Sequence, residues 1–463
     1  MEVDVVIVGA GAAGLAAAIE AADSGAQTMV LEKQASGFDC SSALSAGLIS
    51  FAGTDLQKKL GIEDSNNKLR QDIMDIGEWK SDPKLVSTYV SNQLDTYKWL
   101  TKLGVKWGAC DRGAGMSVPR GHSTDPVQLI RILTETAKGR GVKIRYQARV
   151  TGLLTDKEKR VIGVKVEEEA GTAPVRVRKG VVLATGGFSR DTERLRSLDP
   201  RYVTLCIATS GKGHTGDGHR LAKGLGAYET DIEYVMPSFG QHVTGTSVAE
   251  FSFVYYRGAI IVNKKGHRYV NESVSYKDIG MATLDQPDGI GFQLFDHKVF
   301  DEAVRRIEEH KSLIPPKFAL DGLDKGRTEL LVKGNTIEEL ASQMNVLPEV
   351  LKETVDRYNS FVDGGKDLDF GRTTLVGKIG KIIKIDSPPF YAYESKSAWA
   401  STYGGIVVDE NMHVLSADGT IPGLYAAGEL IGGFHGASYH TGTALGKALI
   451  FGRIAGRNTV SGS

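Results

Sequence analysis

An α/β fold built around a nucleotide-binding βαβ unit is predicted by three observations, all made before residue 33. The apolar run Val5-Val6-Ile7-Val8 leads directly into Gly9-Ala10-Gly11-Ala12-Ala13-Gly14. An alanine-rich stretch, Leu15 to Ala22, follows, and a second apolar run, Gln27 to Leu31, closes on the acid Glu32. Strand, glycine turn, helix, strand and acid in that order describe a Rossmann-like unit.

Each element has its reason. Four consecutive β-branched residues suit a parallel strand buried on both faces. Gly9 permits the tight turn, Gly11 lets the backbone approach a pyrophosphate at the positive helix end, and Gly14 allows close helix–strand packing. Alanine sustains the helix, and Gly25 can end it. Glu32 can bind ribose hydroxyls. The motif alone leaves flavin and nicotinamide dinucleotides both open.

The composition bounds the rest. A length of 463 residues suits two or three domains. Lys+Arg 56 balances Asp+Glu 56, and 24% of residues are charged, so a nucleic-acid-coating surface, disorder and a membrane bundle are all disfavoured. Cys40, Cys110 and Cys206 form no C-x-x-C pair, which argues against a disulfide scaffold or a zinc ribbon and for a reducing compartment. Glycine, 56 residues or about 12% against the usual ~7%, signals many tight turns and close backbone approaches. No leader or apolar span of transmembrane length is visible, so a cytoplasmic protein is expected. The sequon Asn271-Glu272-Ser273 lacks a secretory context.

Further along, Cys40-Ser41-Ser42-Ala43-Leu44-Ser45-Ala46-Gly47 is small and rich in hydroxyls, suited to pass beneath a flat ring; a solvated surface loop is the other reading. Val181 to Phe188 reads as a strand ending in Thr185-Gly186-Gly187, and Gly216-Asp217-Gly218 opens another helix. Gly423 to Glu429 gives a third strand ending in Gly428 and an acid. These returns suggest one nucleotide domain assembled from both ends of the chain. Residues 251–276 read as a hairpin turning at Lys264-Lys265-Gly266, with Tyr255, Tyr256 and Tyr269 as packing residues.

With these motifs in hand, the chain resembles the flavoproteins grouped around fumarate reductase, urocanate reductase, L-aspartate oxidase and 3-ketosteroid dehydrogenase. The resemblance rests on GAGAAG with Glu32, the serine-rich segment 40–47, ATGGF at 184–188, TGDG at 215–218, NKKGHRYVNE at 263–272, YGGIVVD at 403–409 and GLYAAGE at 423–429. It implies FAD bound in a glutathione-reductase-like domain, residues 1–239 and 395–463, with an inserted α+β capping domain, residues 240–394. The cofactor residues it implies are Gly9, Gly11, Ala13, Gly14, Glu32, Lys33, Ser41, Ser42, Ser45, Ala46, Gly47, Val150, Thr185, Gly186, Gly187, Gly216, Asp217, Gly218, Gly428, Glu429, Thr443, Ala444 and Leu445.

The resemblance also carries the catalytic expectations. Where the fumarate reductase branch has an arginine four residues after Asn-Glu, this chain has Tyr276, and where that branch has Gly-Ala-Asn-Arg, it has Gly436-Ala437-Ser438-Tyr439. The ketosteroid dehydrogenases carry tyrosines at both places. Two histidines of the dicarboxylate enzymes are replaced as well, in the stretches Met236-Pro237 and Trp399 to Gly405. A buried dianion without charged partners would cost several kcal/mol, so a neutral ketone is the better match.

The expected chemistry is therefore FAD-dependent dehydrogenation of a cyclic ketone, steroid or smaller. Tyr439 and a backbone N–H near Gly442 would hold the carbonyl oxygen as an oxyanion hole does. Tyr276, as tyrosinate, would take the α-proton, its pKa lowered by hydrogen bonds or by a cation such as Lys277 or Arg257. The β-hydride would go to the flavin. Run backward, the same residues give an enone, enoate or urocanate-type reductase; a flavin-carrying electron-transfer protein is the third reading. With no haem motif, iron–sulfur cysteine set or second GxGxxG, an external electron partner is expected: a quinone, a dye or dioxygen. The region Gly108 to Pro119 holds no tyrosine, unlike ketosteroid dehydrogenases. His440 is read either as tuning Tyr439 or as a packed residue.

Overall fold

The computed structural model describes residues 1–245, 250–310 and 330–462. The first apolar run forms the strand Glu2–Val8, and the alanine-rich stretch forms the helix Ala12–Asp23. Ser24 caps that helix, and Gly25 follows at φ +84°, the left-handed conformation that ends many helices. The second strand is Thr28–Leu31.

Five strands then lie parallel in the order Gly419–Ala426, Gly171–Leu183, Glu2–Val8, Thr28–Leu31 and Lys143–Arg145. The long strand Gly171–Leu183 also pairs antiparallel with Val161–Glu168 through its first half. The sheet therefore draws its strands from both ends of the chain.

Two glycines lock the last helix onto the first. A Cβ on Gly452 would meet the Ala13 carbonyl oxygen at 2.3 Å, and one on Gly456 would meet that of Ala17 at 2.2 Å. The C-terminal helix Thr443–Ser461 thus lies against the back of the helix Ala12–Asp23 at a spacing closed to any side chain. Both contribute to one apolar core with the parallel strands.

A second sheet of six strands contains Ser238–His242, Ile260–Asn263, Ile290–Asp296 and Phe390–Trp399. The first and last of these strands pair with each other and run across residues 239/240 and 394/395. The hairpin expected over 251–276 is not formed. Val254–Arg257 is a short 3-10 helix whose side chains are buried, and Ile260–Asn263 pairs with Ile290–Asp296 instead. The turn at Gly266 exists, with φ +86°, but returns through a single bridge between Val262 and Arg268. The aromatic residues prefer a compact cluster: Tyr255 and Tyr256 lie 4.5 Å apart edge to face, within the core of Phe239, Val254 and Ile261.

Behind the return, Arg268 donates to Glu272 (2.9 and 2.8 Å) and to Asp367 (3.0 Å), and Arg372 stands 3.3 Å from Glu272. This buried network fixes the Asn271–Ser275 turn, from which the helix Tyr276–Leu284 starts with Ser275 as its cap. The turn aims Tyr276. No helix among the described residues is long and apolar enough to cross a membrane.

Candidate functional site

A single cavity is lined by the glycine turn at one end and a cluster of aromatic side chains at the other. At the nucleotide end, the Gly9 φ of +107° and the approach of its missing Cβ to the Ala184 oxygen, 2.4 Å, make glycine obligatory. Glu32 accepts from the backbone N–H of Ala10 (2.9 Å) and of Gln34 (2.8 Å), which fixes its carboxylate at the strand end. Ser42 Oγ accepts from Ala12 N–H at 3.2 Å, and Lys33 Nζ donates to Thr215 (2.7 Å) and Asp217 (2.8 Å).

Two observations make this end fit a dinucleotide. The wall at Gly11 is open: the nearest atoms to an added Cβ are Ser42 Oγ at 3.7 Å and Cys40 Cβ at 3.9 Å, beside the positive end of the helix Ala12–Asp23. Thr185 Oγ1, on the same cavity, is buried without a hydrogen-bond partner among the described residues, an unmet demand that a bound ligand can satisfy.

Of the sequence-derived cofactor residues, Gly9, Gly11, Ala13, Glu32, Lys33, Ser41, Ser42, Ser45, Ala46, Gly47, Val150, Thr185, Gly186, Asp217, Gly428, Glu429, Ala444 and Leu445 line this cavity. Five others do not line it, and the structure places them at framework positions. A Cβ on Gly14 would lie 1.9 Å from Gly9 O, on Gly187 2.0 Å from Thr402 Oγ1, and on Gly218 2.1 Å from Thr185 Oγ1. Gly216 caps the helix Asp217–Lys223, and Thr443 donates to His440 O at 2.6 Å. His214, which the sequence reading did not single out, joins the segments: its Nε2 meets Ser41 Oγ at 3.0 Å and its Nδ1 lies 3.5 Å from Glu429. Burial pushes the Glu429 carboxyl up, but His214 and Thr402 outweigh it and hold the group below its usual range.

At the other end the structure brings Tyr276 and Tyr439 together, their rings 5.6 Å apart. Tyr403 stacks on Tyr439 at 4.8 Å and 14°. His435 packs against Tyr403 and Tyr439 at 4.5 and 5.3 Å. Phe251, Phe253 and Tyr256 complete an apolar wall. Tyr403 and His435 were missed as site residues, although each lies in a glycine-bounded segment, Tyr403-Gly404-Gly405 and Gly432-Gly433-Phe434-His435-Gly436.

Four expectations change. First, the Gly442 N–H does not face the cavity as a free donor: Gly442, at φ +84° on the helix N-cap, donates to Tyr439 Oη at 3.0 Å, with Ala444 N–H at 3.4 Å. The backbone acts on the phenol, and the phenol O–H is the donor left for a ligand. Second, Tyr276 is not a tyrosinate in this setting; burial and the neighbouring phenols raise its pKa well above the ordinary value. Third, Lys277 does not lie on Tyr276 but over the Tyr403 ring, 4.4 Å from its centre. Fourth, His440 turns away from Tyr439: its Nδ1 meets Thr441 O at 3.1 Å and its Nε2 lies 3.4 Å from Arg120, while burial and Arg120 push its pKa down to about 3. His440 is a packed residue.

Arg112 and Arg257 also line the cavity, so cations are present there although the arginines of the dicarboxylate motifs are not; both are engaged with other groups of the protein.

The pattern described as FAD binding domain matches residues 4–445. The chain belongs to this family of FAD-binding oxidoreductases acting on CH–CH bonds. It is 32% identical to the fumarate reductase (cytochrome) of Shewanella frigidimarina over 98% of this chain and 76% of the relative. It is 30% identical to the vinyl phenol reductase of Lactiplantibacillus plantarum over 98% and 96%. The solved 3-ketosteroid-Δ4-(5α)-dehydrogenase of Rhodococcus jostii, in complex with 4-androstene-3,17-dione, superposes with a TM-score of 0.76 at 28% identity, covering 99% of this chain and 97% of that one. The cofactor of this family member is FAD, and the cavity residues above fit it.

Proposed function

We propose that the protein interconverts an uncharged cyclic ketone and its α,β-unsaturated form, with dehydrogenation as the forward reaction. The observation that carries this reading is the pair of phenols: Tyr439, its oxygen gripped by two backbone N–H groups, beside Tyr276, at the aromatic end of the cavity. The name of the Rhodococcus jostii relative, a ketosteroid dehydrogenase that spans the same length of chain, supports it.

FAD would be held by Gly11, the Ser41–Gly47 segment, Glu32 and Thr185, and it supplies the two-electron hydride acceptor when bound. The rest is the work of this chain. Tyr439 donates its O–H to the carbonyl oxygen, and the donors behind it strengthen that bond as negative charge develops on the oxygen. Tyr276 exchanges the proton at the α-carbon. Phe251, Phe253 and Tyr256 pack against the ring and exclude water. Residues 240–394, which carry most of the second sheet, act as the cap on the FAD-binding body, residues 1–239 and 395–463. A quinone, a dye or dioxygen is the external partner for the electrons.

A second reading, the same site as an enone reductase, is favoured by one observation: burial holds Tyr276 as a neutral phenol, the form that donates a proton to carbon. The fumarate and vinyl phenol reductase relatives point the same way. An anaerobic test separates the two. Bleaching of the bound flavin by a saturated cyclic ketone supports dehydrogenation; re-oxidation of the reduced enzyme by an enone, with no bleaching by the ketone, supports reduction. No response to either overturns the ketone reading.

A further inference from the structure

Tyr439 gives a carbonyl oxygen one donor. That oxygen has two lone pairs and gains negative charge in either direction of the reaction, so a single phenol leaves part of its demand unmet. The Gly442 N–H, directed to Tyr439 Oη at 3.0 Å, does not meet it. Another buried group at the same end of the cavity carries the opposite deficit. His435 is 2% exposed and lines the cavity, and its Nε2 has no hydrogen-bond partner among the described residues. A buried polar atom of this kind calls for a ligand or a water.

The fold holds this imidazole in place. His435 belongs to the loop before the C-terminal helix, whose main chain is pinned from behind: Ala437 N–H donates to Gly77 O at 3.1 Å, Asp82 N–H to Gly433 O at 2.6 Å, and Gly433 N–H to Asp231 at 2.9 Å. A Cβ on Gly77 would stand 2.8 Å from His435 O, so the main chain of His435 lies against Gly77. Its ring packs against Tyr403 at 4.5 Å, Phe434 at 4.9 Å and Tyr439 at 5.3 Å. Burial, with the Lys447 and Lys277 ammonium groups nearby, drives the imidazole well below its usual range, so the ring is neutral and carries one N–H. A neutral imidazole can polarise a carbonyl without giving up its proton.

We propose that His435 Nε2–H is the second donor to the substrate oxygen, so that the carbonyl is held by the Tyr439 phenol and the His435 imidazole together. Whether the ring ketone is dehydrogenated or the enone reduced, negative charge develops on this oxygen between the proton transfer and the hydride transfer. Both donors strengthen their bonds to it at that moment. No proton and no electron pass through His435, which keeps its N–H throughout. The inference rests on the function proposed above and assigns the oxygen of that substrate a second contact.

Neighbouring polar groups are directed elsewhere. Thr441 Oγ1 is also buried without a partner among the described residues, but its side chain packs on Gly113, where an added Cβ would meet Oγ1 at 2.7 Å. His440 turns to Thr441 O and Arg120. Lys447 Nζ donates to Ile431 O at 2.9 Å and Lys277 Nζ to Met236 O at 2.5 Å, and both ammonium groups face the Glu429 carboxylate.

The test compares wild-type holoenzyme with His435→Leu, His435→Gln and His435→Asn. Glutamine can place an amide N–H near the position of Nε2, asparagine only near that of Nδ1. The probe is 4-nitrophenol, whose phenolate oxygen imitates an enolate and needs no turnover; its binding is read from the perturbation of the flavin spectrum. The leucine and asparagine variants should bind it about tenfold more weakly, and their flavin should be reduced by a saturated cyclic ketone roughly 10²-fold more slowly. Glutamine should recover most of both. The spectrum of the ligand-free flavin should stay unchanged in all three. Wild-type affinity and rate in His435→Leu overturn the proposal, as does a shifted ligand-free spectrum, which would put the imidazole on the flavin. If His435→Leu yields no holoenzyme, equal 4-nitrophenol affinities in His435→Gln and His435→Asn overturn it equally. Because this probe is not a ketone, a His435-dependent affinity for it in an enzyme inert to ketones and enones would sink the substrate reading and leave the donor assignment standing.

Discussion

Replacing Tyr439 by phenylalanine removes one oxygen and leaves the ring, so packing against Tyr403 at 4.8 Å and His435 at 5.3 Å is retained. The oxygen currently accepts from Gly442 N–H at 3.0 Å and, more weakly, from Ala444 N–H at 3.4 Å. With about 0.5–1.5 kcal/mol for the stronger bond and less for the longer one, folding stability should fall by about 1–2 kcal/mol. The catalytic cost is larger. Loss of a preorganised donor to a developing oxyanion slows such reactions by roughly 10²–10³-fold, or about 3–4 kcal/mol. Anaerobic stopped-flow reduction of the flavin by a saturated ketone reads this directly. The flavin should remain bound, because Glu32, Gly11 and Ser42 are untouched, and the ketone should bind more weakly as well as react more slowly. A reduction rate within about threefold of wild type would show that Tyr439 only packs, and would remove the carbonyl site on which the reaction scheme stands.

Other perturbations probe the supporting structure. Gly14→Ala should abolish retention of FAD, since its Cβ would stand 1.9 Å from Gly9 O; a variant isolated with full flavin absorbance would contradict the packing argument. Glu32→Gln keeps the shape but removes the charge that two backbone N–H groups hold in place; FAD affinity, read by flavin fluorescence quenching, should drop by about tenfold, or roughly 1.4 kcal/mol. Arg120 is fully buried between Asp64 and Asp72; Arg120→Met leaves two buried carboxylates uncompensated and should cost about 3–5 kcal/mol in a urea melt. Burial raises the Glu229 carboxyl, but His219 and Arg194 outweigh it and bring the group down to about 2. A depressed carboxyl gives stability that is full above its ordinary range and lost as pH falls through its folded value. Glu229→Gln should therefore flatten the decline of Tm between about pH 4.5 and 2.

The nucleotide end of the molecule was readable from the sequence because its constraints are local. A glycine at φ +107° and an acid closing the next strand announce themselves within a few residues of one another. The segment 251–276 was misread for the opposite reason. Its aromatic residues have high strand propensity, yet a mutual cluster around Tyr255 buries them better than a two-stranded ribbon could, and the partner strand Ile290–Asp296 lies far along the chain. Tyr276 and Tyr439 were found through motif positions. Tyr403, His435 and Lys277 meet only in three dimensions, brought together by the Tyr403-Gly404-Gly405 segment, the loop before the C-terminal helix and the first turn of the helix Tyr276–Leu284. The Gly442 assignment was right in neighbourhood and wrong in direction, because whether an N–H points at a ligand or at a phenol depends on one backbone dihedral that the letters do not display.

The account stands on the preference of the aromatic pocket for an uncharged carbonyl over a diacid. Anaerobic titration of the holoenzyme with a saturated cyclic ketone and with succinate, followed by re-oxidation of the reduced enzyme with the matching enone and with fumarate, tests that directly. Electron exchange with the ketone–enone pair and none with the succinate–fumarate pair is the expected result. Rapid re-oxidation by fumarate, with the enone inert, would contradict it.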